Sequence, residues 1–161
     1  MIAVRILGIG SPSGDDQAGW LTVDALADHG VYAGDELVID KLDRPGAHLI
    51  SLLENADWVI LVDAMQRDGP IGEIRHFDAE DWPGYSQGLS SHGLGVLDAL
   101  LLARELGSLP SRLDLYGIAI GSANPDAHVR SEIRAAAAQL AQRIADDLTL
   151  PLQYEKSRRV V

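Results

Sequence analysis

Cysteine is absent from the 161 residues, which removes disulfides, thiolate metal sites, iron–sulfur ligation and cysteine nucleophiles together. Any chemistry must then rest on carboxylates, imidazoles and hydroxyls. Long apolar runs are missing too: no stretch approaches the ~20 uninterrupted apolar residues of a membrane-spanning helix. Positive charge is scarce. Thirteen Lys and Arg stand against 24 Asp and Glu, for a net charge of −11 and a pI near 4.6. Phosphate binding needs clustered cations, so this balance argues against nucleic acid and against anionic membrane surfaces as partners. The apolar start from Met1 to Gly10 is short, contains Arg5 and runs straight into a glycine turn. A secretory leader would need a basic start, an apolar stretch and a small-residue cleavage site. These absences lead to the expectation of a cytoplasmic protein, taken as a monomer by default.

The rest of the composition is that of a globular domain, with 47% hydrophobic and 23% charged residues. The length fits one domain and can bury a sizeable core without staples. Strand-like and helix-like periodicities alternate along the chain. Strands are predicted at 2–8, 36–40, 58–64, 72–77 and 112–120. The 58–64 run is β-branched and almost wholly apolar, as in a strand buried on both faces, whereas polar residues alternate through 72–77 as on an edge. Helices are predicted at 16–28, 46–54, 93–106 and about 129–148. A polar, turn-rich stretch at 78–91 is long enough to be a functional loop. The pattern predicts a three-layer α/β/α sandwich around a mostly parallel twisted sheet of about five strands. Residues 1–150 form the single α/β unit, and 151–161, beyond a proline, form a flexible tail.

In such sheets ligands bind beyond the carboxyl ends of the strands, and three candidates fall at that edge. The first strand ends in the glycine-rich turn Gly8 to Gly14, followed at once by Asp15 and Asp16. A dinucleotide fingerprint fails here, because the spacing is G-x-G-x-x-x-G and paired carboxylates would repel a pyrophosphate. Helix capping accounts readily for one of the two carboxylates and less well for both. Asp63 ends the most apolar strand, where a carboxylate is costly unless paired, hydrogen-bonded or bound to a cation. A plain turn-capping Asp is the alternative. His92 lies in Ser90-Ser91-His92-Gly93-Leu94-Gly95, whose small residues leave space around the ring. For any lone histidine, as for His29, His48, His76 and His128, surface or core packing is the better reading, and His92 stands out only through those small neighbours. Two carboxylates and one imidazole suit a borderline divalent ion such as zinc or nickel with open coordination positions. The serines of Gly10 to Gly14 do not fit G-x-S-x-G, and neither a Walker A motif nor H-E-x-x-H occurs.

A first strand followed by G-x-G-S, a short loop, Asp-Asp and a glycine-containing helix start, then Val62-Asp63-Ala64, then S-x-H-x-x-G, resembles the maturation endopeptidases of nickel–iron hydrogenases. The resemblance covers roughly residues 2–145. No single motif is specific; their ordered combination is. It implies an enzyme that removes a C-terminal extension from the hydrogenase large-subunit precursor once nickel is in place. It also implies metal binding by Asp16, Asp63 and His92, with Asp16 or Asp63 as general base. Nickel would come with the precursor, and no organic cofactor is implied. Many members carry D-G-G-T-x-G after the second strand, where this chain has Asp40-Lys41-Leu42-Asp43-Arg44-Pro45-Gly46. Asp40 holds the position of that motif's Asp, implying a part in substrate selection, and the altered segment bears on which hydrogenase is the partner. Two other readings stand beside this one. A non-catalytic nickel-binding or docking protein would form the complex without cleaving. A zinc-dependent hydrolase on the same fold would carry its own metal.

Overall fold

A computed structural model describes residues 2–66, 69–77, 95–121 and 128–159. Among the described residues five strands form one sheet: β1 (Ile2–Gly10), β2 (Leu37–Asp43), β3 (Ala56–Gln66), β4 (Ile74–Phe77) and β5 (Arg112–Ile120). Their spatial order is β2-β1-β3-β5-β4. All neighbours run parallel except β4, which closes the edge antiparallel to β5. Four α-helices among the described residues cover it: α1 (Ala18–Ala25), α2 (His48–Leu53), α3 (Val96–Glu105) and α4 (Ser131–Arg159).

The layers follow from strand alternation. In β3, Trp58, Ile60, Val62 and Ala64 face one side and join a core with Ala18 and Val23 of α1 and Ile133, Ala137 and Leu140 of α4. Val59, Leu61 and Met65 face the other and join Leu49 and Leu53 of α2 with Leu97 and Leu100 of α3. This is the α/β/α sandwich that the alternating periodicity predicts. β3 is apolar on both faces because both are covered; each such side chain contributes about 1.5–3 kcal/mol through burial. Among the described residues no helix is long and apolar enough to cross a membrane.

Several boundaries differ from the sequence prediction, three of them with a structural reason. The helix predicted at 16–28 is an α-helical core flanked by 3-10 turns, Gly14–Gln17 and Leu26–His29, and it stops where Gly30 turns left-handed at φ 76°. β2 runs on to Asp43 rather than ending at 40. The Arg44 amide donates to the Gly10 carbonyl at 3.1 Å, and the Trp20 indole of α1 donates to the Leu42 carbonyl at 2.9 Å, which continue the ordering past the apolar run. α4 continues through Pro151 to Arg159. Proline withholds one backbone donor, and the turns before and after it retain theirs. The predicted loop 78–91 and His92 lie outside the described residues.

Candidate active site

From β1 the chain crosses by α1 over one face to β2; from β2 it crosses by α2 over the opposite face to β3, on the other side of β1. The connections diverge at the carboxyl ends of β1 and β3, the place where an open α/β sheet forms its ligand crevice. Two glycines bring the Asp-bearing turn onto those ends. A side chain on Gly19 would collide with the carbonyl oxygens of Ile9 and Val62, and one on Gly10 with the carbonyl of Asp16. The glycine turn and the glycine in the helix start thus serve close backbone approach.

The adjacent carboxylates have different partners. Asp15, buried, accepts the Arg130 backbone N–H at 2.9 Å and pairs with the Arg130 Nε at 3.2 Å. It ties the turn to the entry of α4. Asp16, also buried, accepts a hydrogen bond from the Ser11 hydroxyl. Neither acts as a helix cap: the residue at the cap of the 3-10 turn is Ser13, without a side-chain cap bond. Asp15 is therefore structural, which leaves Asp16 for the crevice.

Asp63 lies on β3 level with Gly117 of β5, and alternation sets it on the face of Leu61 and Met65. It is 7% exposed. Its carboxyl is pushed up to about 8, first by burial and then by the negative charge of Asp16, against the stabilising Ala64 backbone N–H. The fold thus brings Asp16 and Asp63, 47 positions apart in the chain, into one electrostatic unit. The carboxylate oxygens of the two suit a divalent cation.

His92 is outside the described residues, so its position relative to the pair is not part of this geometry. The cap of α3, Gly95, stands at the same edge, because α3 must run against the strands to deliver the chain to the start of β5. Among the described residues no group of three or more His, Asp or Glu side chains is arranged to hold a metal ion. Of the three candidate residues at this edge, the two described ones are carboxylates. Asp40 is not joined to them. It is exposed on the edge strand β2, level with Leu7, while Asp63 is two residues further along and separated from β2 by β1.

Arg44 follows β2 at this edge, with its Nε 2.7 Å from Asp43 Oδ1. The hydrogen bond to Asp43, then the charge of Asp43 and, more weakly, that of Asp16 hold its guanidinium more firmly protonated than usual. Sequence reasoning singled out its segment as altered but not the residue; a cation just before a Pro-Gly turn was the available signal. Arg130 had none, since its partner Asp15 is 115 positions away.

The family model described as hydrogenase maturation protease matches residues 44–147, about two thirds of the chain. No curated protein matches in sequence. Among solved structures, the hydrogenase maturating endopeptidase HybD from E. coli superposes with a TM-score of 0.76 at 24% identity, over 96% of this chain and 94% of that one. A hydrogenase 2 maturation peptidase from a Thaumarchaeota archaeon is 25% identical over 92% of this chain and 99% of its own, with a TM-score of 0.67. The [NiFe] hydrogenase maturation protease HycI from Thermococcus kodakarensis is also 25% identical, over 91% and 92% of the two chains, with a TM-score of 0.68. With the fold and the family model in agreement, the chain belongs to the hydrogenase maturation protease family.

Proposed function

We propose that this protein is a monomeric cytoplasmic endopeptidase. It removes the C-terminal extension of a nickel–iron hydrogenase large-subunit precursor after nickel insertion, and so activates its partner. The observation that carries the reading is the pairing of Asp16 and Asp63 in the crevice of a protease-family fold, with Asp63 held near 8 by burial and by the charge of Asp16. A carboxyl that carries its proton near neutrality beside a charged carboxylate can give one proton while its neighbour takes one.

Nickel enters as part of the substrate. Two carboxylate oxygens with the His92 imidazole are donors that fit a borderline divalent ion, and the absence of cysteine is met if the precursor's thiolates supply the remaining ligands. When bound, the ion would mark the mature precursor and polarise a carbonyl. Asp16 and Asp63 orient the substrate and handle the proton; His92 completes the donor set; Asp40, exposed on β2, contacts the precursor outside the crevice.

Intact-mass spectrometry of nickel-loaded and nickel-free precursor, before and after adding the protein, tests this. Loss of one C-terminal peptide only from the loaded precursor is the expected result. A stable complex without mass loss would favour docking alone, and cleavage by zinc-loaded protein regardless of nickel would favour a resident-metal hydrolase.

A further inference from the structure

Peptide hydrolysis at a carboxylate pair needs something the pair does not supply. Attack of water on the scissile carbonyl carbon moves an electron pair onto the carbonyl oxygen, and carboxylates repel the charge that develops there. A preorganised donor aimed at that oxygen is often the largest single contribution to catalysis.

Arg44 has the placement for it. Its backbone N–H is fixed to the Gly10 carbonyl at 3.1 Å, and Gly10 packs directly against the backbone of Asp16. Arg44 therefore stands one residue's width from the crevice turn. Its backbone is left-handed at φ 46°, followed by Pro45 and by Gly46 at φ 54°. A side-chain-bearing residue adopts that region only under strain, and such strain concentrates at functional sites. The side chain is 56% exposed, with Nε held 2.7 Å from Asp43. Its two Nη groups have no hydrogen-bond partner among the described residues, so the fork is oriented at one end and open at the other. Arg130 is tied to Asp15 through its Nε, with its Nη groups against Gly121 just beyond β5.

We propose that Arg44 is a catalytic residue, its Nη groups donating to the scissile carbonyl oxygen and stabilising the oxyanion formed there. The proposal rests on the cleavage reading above. Water attacks the carbonyl carbon and loses a proton to the carboxylate pair, and the π pair moves to the oxygen facing Arg44. Collapse restores the C=O bond and breaks the C–N bond, and the leaving amine takes the proton back from the pair. Arg44 neither gains nor loses a proton.

Cleavage kinetics of nickel-loaded precursor with wild type, Arg44→Gln, Arg44→Lys and Arg44→Ala test this, with thermal midpoints checked for each. Arg44→Gln should lower kcat about 100-fold with KM within about twofold of wild type. Arg44→Lys should fall between the two, and millimolar guanidinium should partly rescue Arg44→Ala. An unchanged kcat, or a rise in KM alone, overturns the role and makes Arg44 a docking cation. A wild-type protein that leaves the loaded precursor whole instead overturns the cleavage reading, and this role with it.

Discussion

Asp15 holds both the backbone N–H of Arg130, at 2.9 Å, and its guanidinium, at 3.2 Å, while its neighbour Asp16 turns to Ser11. Two identical side chains, adjacent in sequence, thus serve the fold and the crevice separately. Their substitutions should separate too. Asp15→Asn should lower unfolding free energy by about 1–3 kcal/mol, the range for a buried group left poorly paired, with cleavage per folded molecule retained. Asp16→Asn should keep its urea midpoint near wild type and lose cleavage. Urea titration alongside the mass assay distinguishes the two, and equal cleavage by both variants would contradict the division.

The raised Asp63 carboxyl carries a pH signature. Its ordinary value is 3.8 and its folded value is about 8, so between these the folded state binds more protons than the unfolded one. Stability from this group is fully present below about pH 4, declines as pH rises towards 8 and is flat above. The slope from one group is at most about 1.4 kcal/mol per pH unit. Urea unfolding of wild type from pH 5 to 8 should show this decline, and Asp63→Asn should flatten it. A parallel decline in both proteins would assign it to other groups.

Gly19 should not tolerate alanine. The added methyl would meet the carbonyl oxygens of Ile9 and Val62, which are backbone atoms of the sheet and cannot swing aside. Overpacking of this kind costs about 1–3 kcal/mol or more. It would also lift the Asp16 turn off the ends of β1 and β3. Gly19→Ala should therefore lower both the thermal midpoint and cleavage, whereas alanine at Gly34, with nothing near its Cβ position, should leave cleavage unchanged.

Another buried carboxylate, Asp114, joins three strands away from the crevice. It accepts the Trp58 indole N–H of β3 at 2.7 Å, lies 2.7 Å from the His76 Nε2 of β4 and accepts the Arg112 Nε of β5 at 3.1 Å. His76 also stacks on Tyr116, ring centroids 4.4 Å apart. Asp114→Ala leaves the Trp58 and His76 ring nitrogens without this acceptor, and should lower unfolding free energy by about 1–3 kcal/mol. Because β4 is short and, among the described residues, is paired in the sheet with β5 only, amide exchange over Ile74–Phe77 should rise more than over β3. Equal protection of both strands would remove the pinning role.

The sheet was legible in the sequence wherever local pattern and burial agree. β5 coincides with the predicted 112–120, and β3 extends the predicted 58–64 by two residues at each end. Both are central strands whose residues must be apolar on both faces. The polar alternation of 72–77 marked the edge strand correctly. α1 was less legible, because its 3-10 ends are set by the Gly14 turn and by Gly30 rather than by an apolar stripe. Asp16 was legible as a candidate from its place after a strand, and Asp63 from its place near the end of one. Asp40 was read as a site residue, and its exposure on β2 keeps it apart from the pair.

The sequence by itself determined the class of this protein: alternating periods dictate the layers, the lack of cysteine confines the chemistry to oxygen and imidazole donors, and ordered short motifs carry the family likeness. Only the tertiary structure decided which of two adjacent aspartates is used by Arg130, that Asp63 feels the charge of Asp16, and that Arg44 shares their edge. Those outcomes depend on strand order and crossover, which join residues tens of positions apart. No local pattern encodes them, because a carboxylate's role is set by the charges and donors that the fold brings within a few ångströms of it.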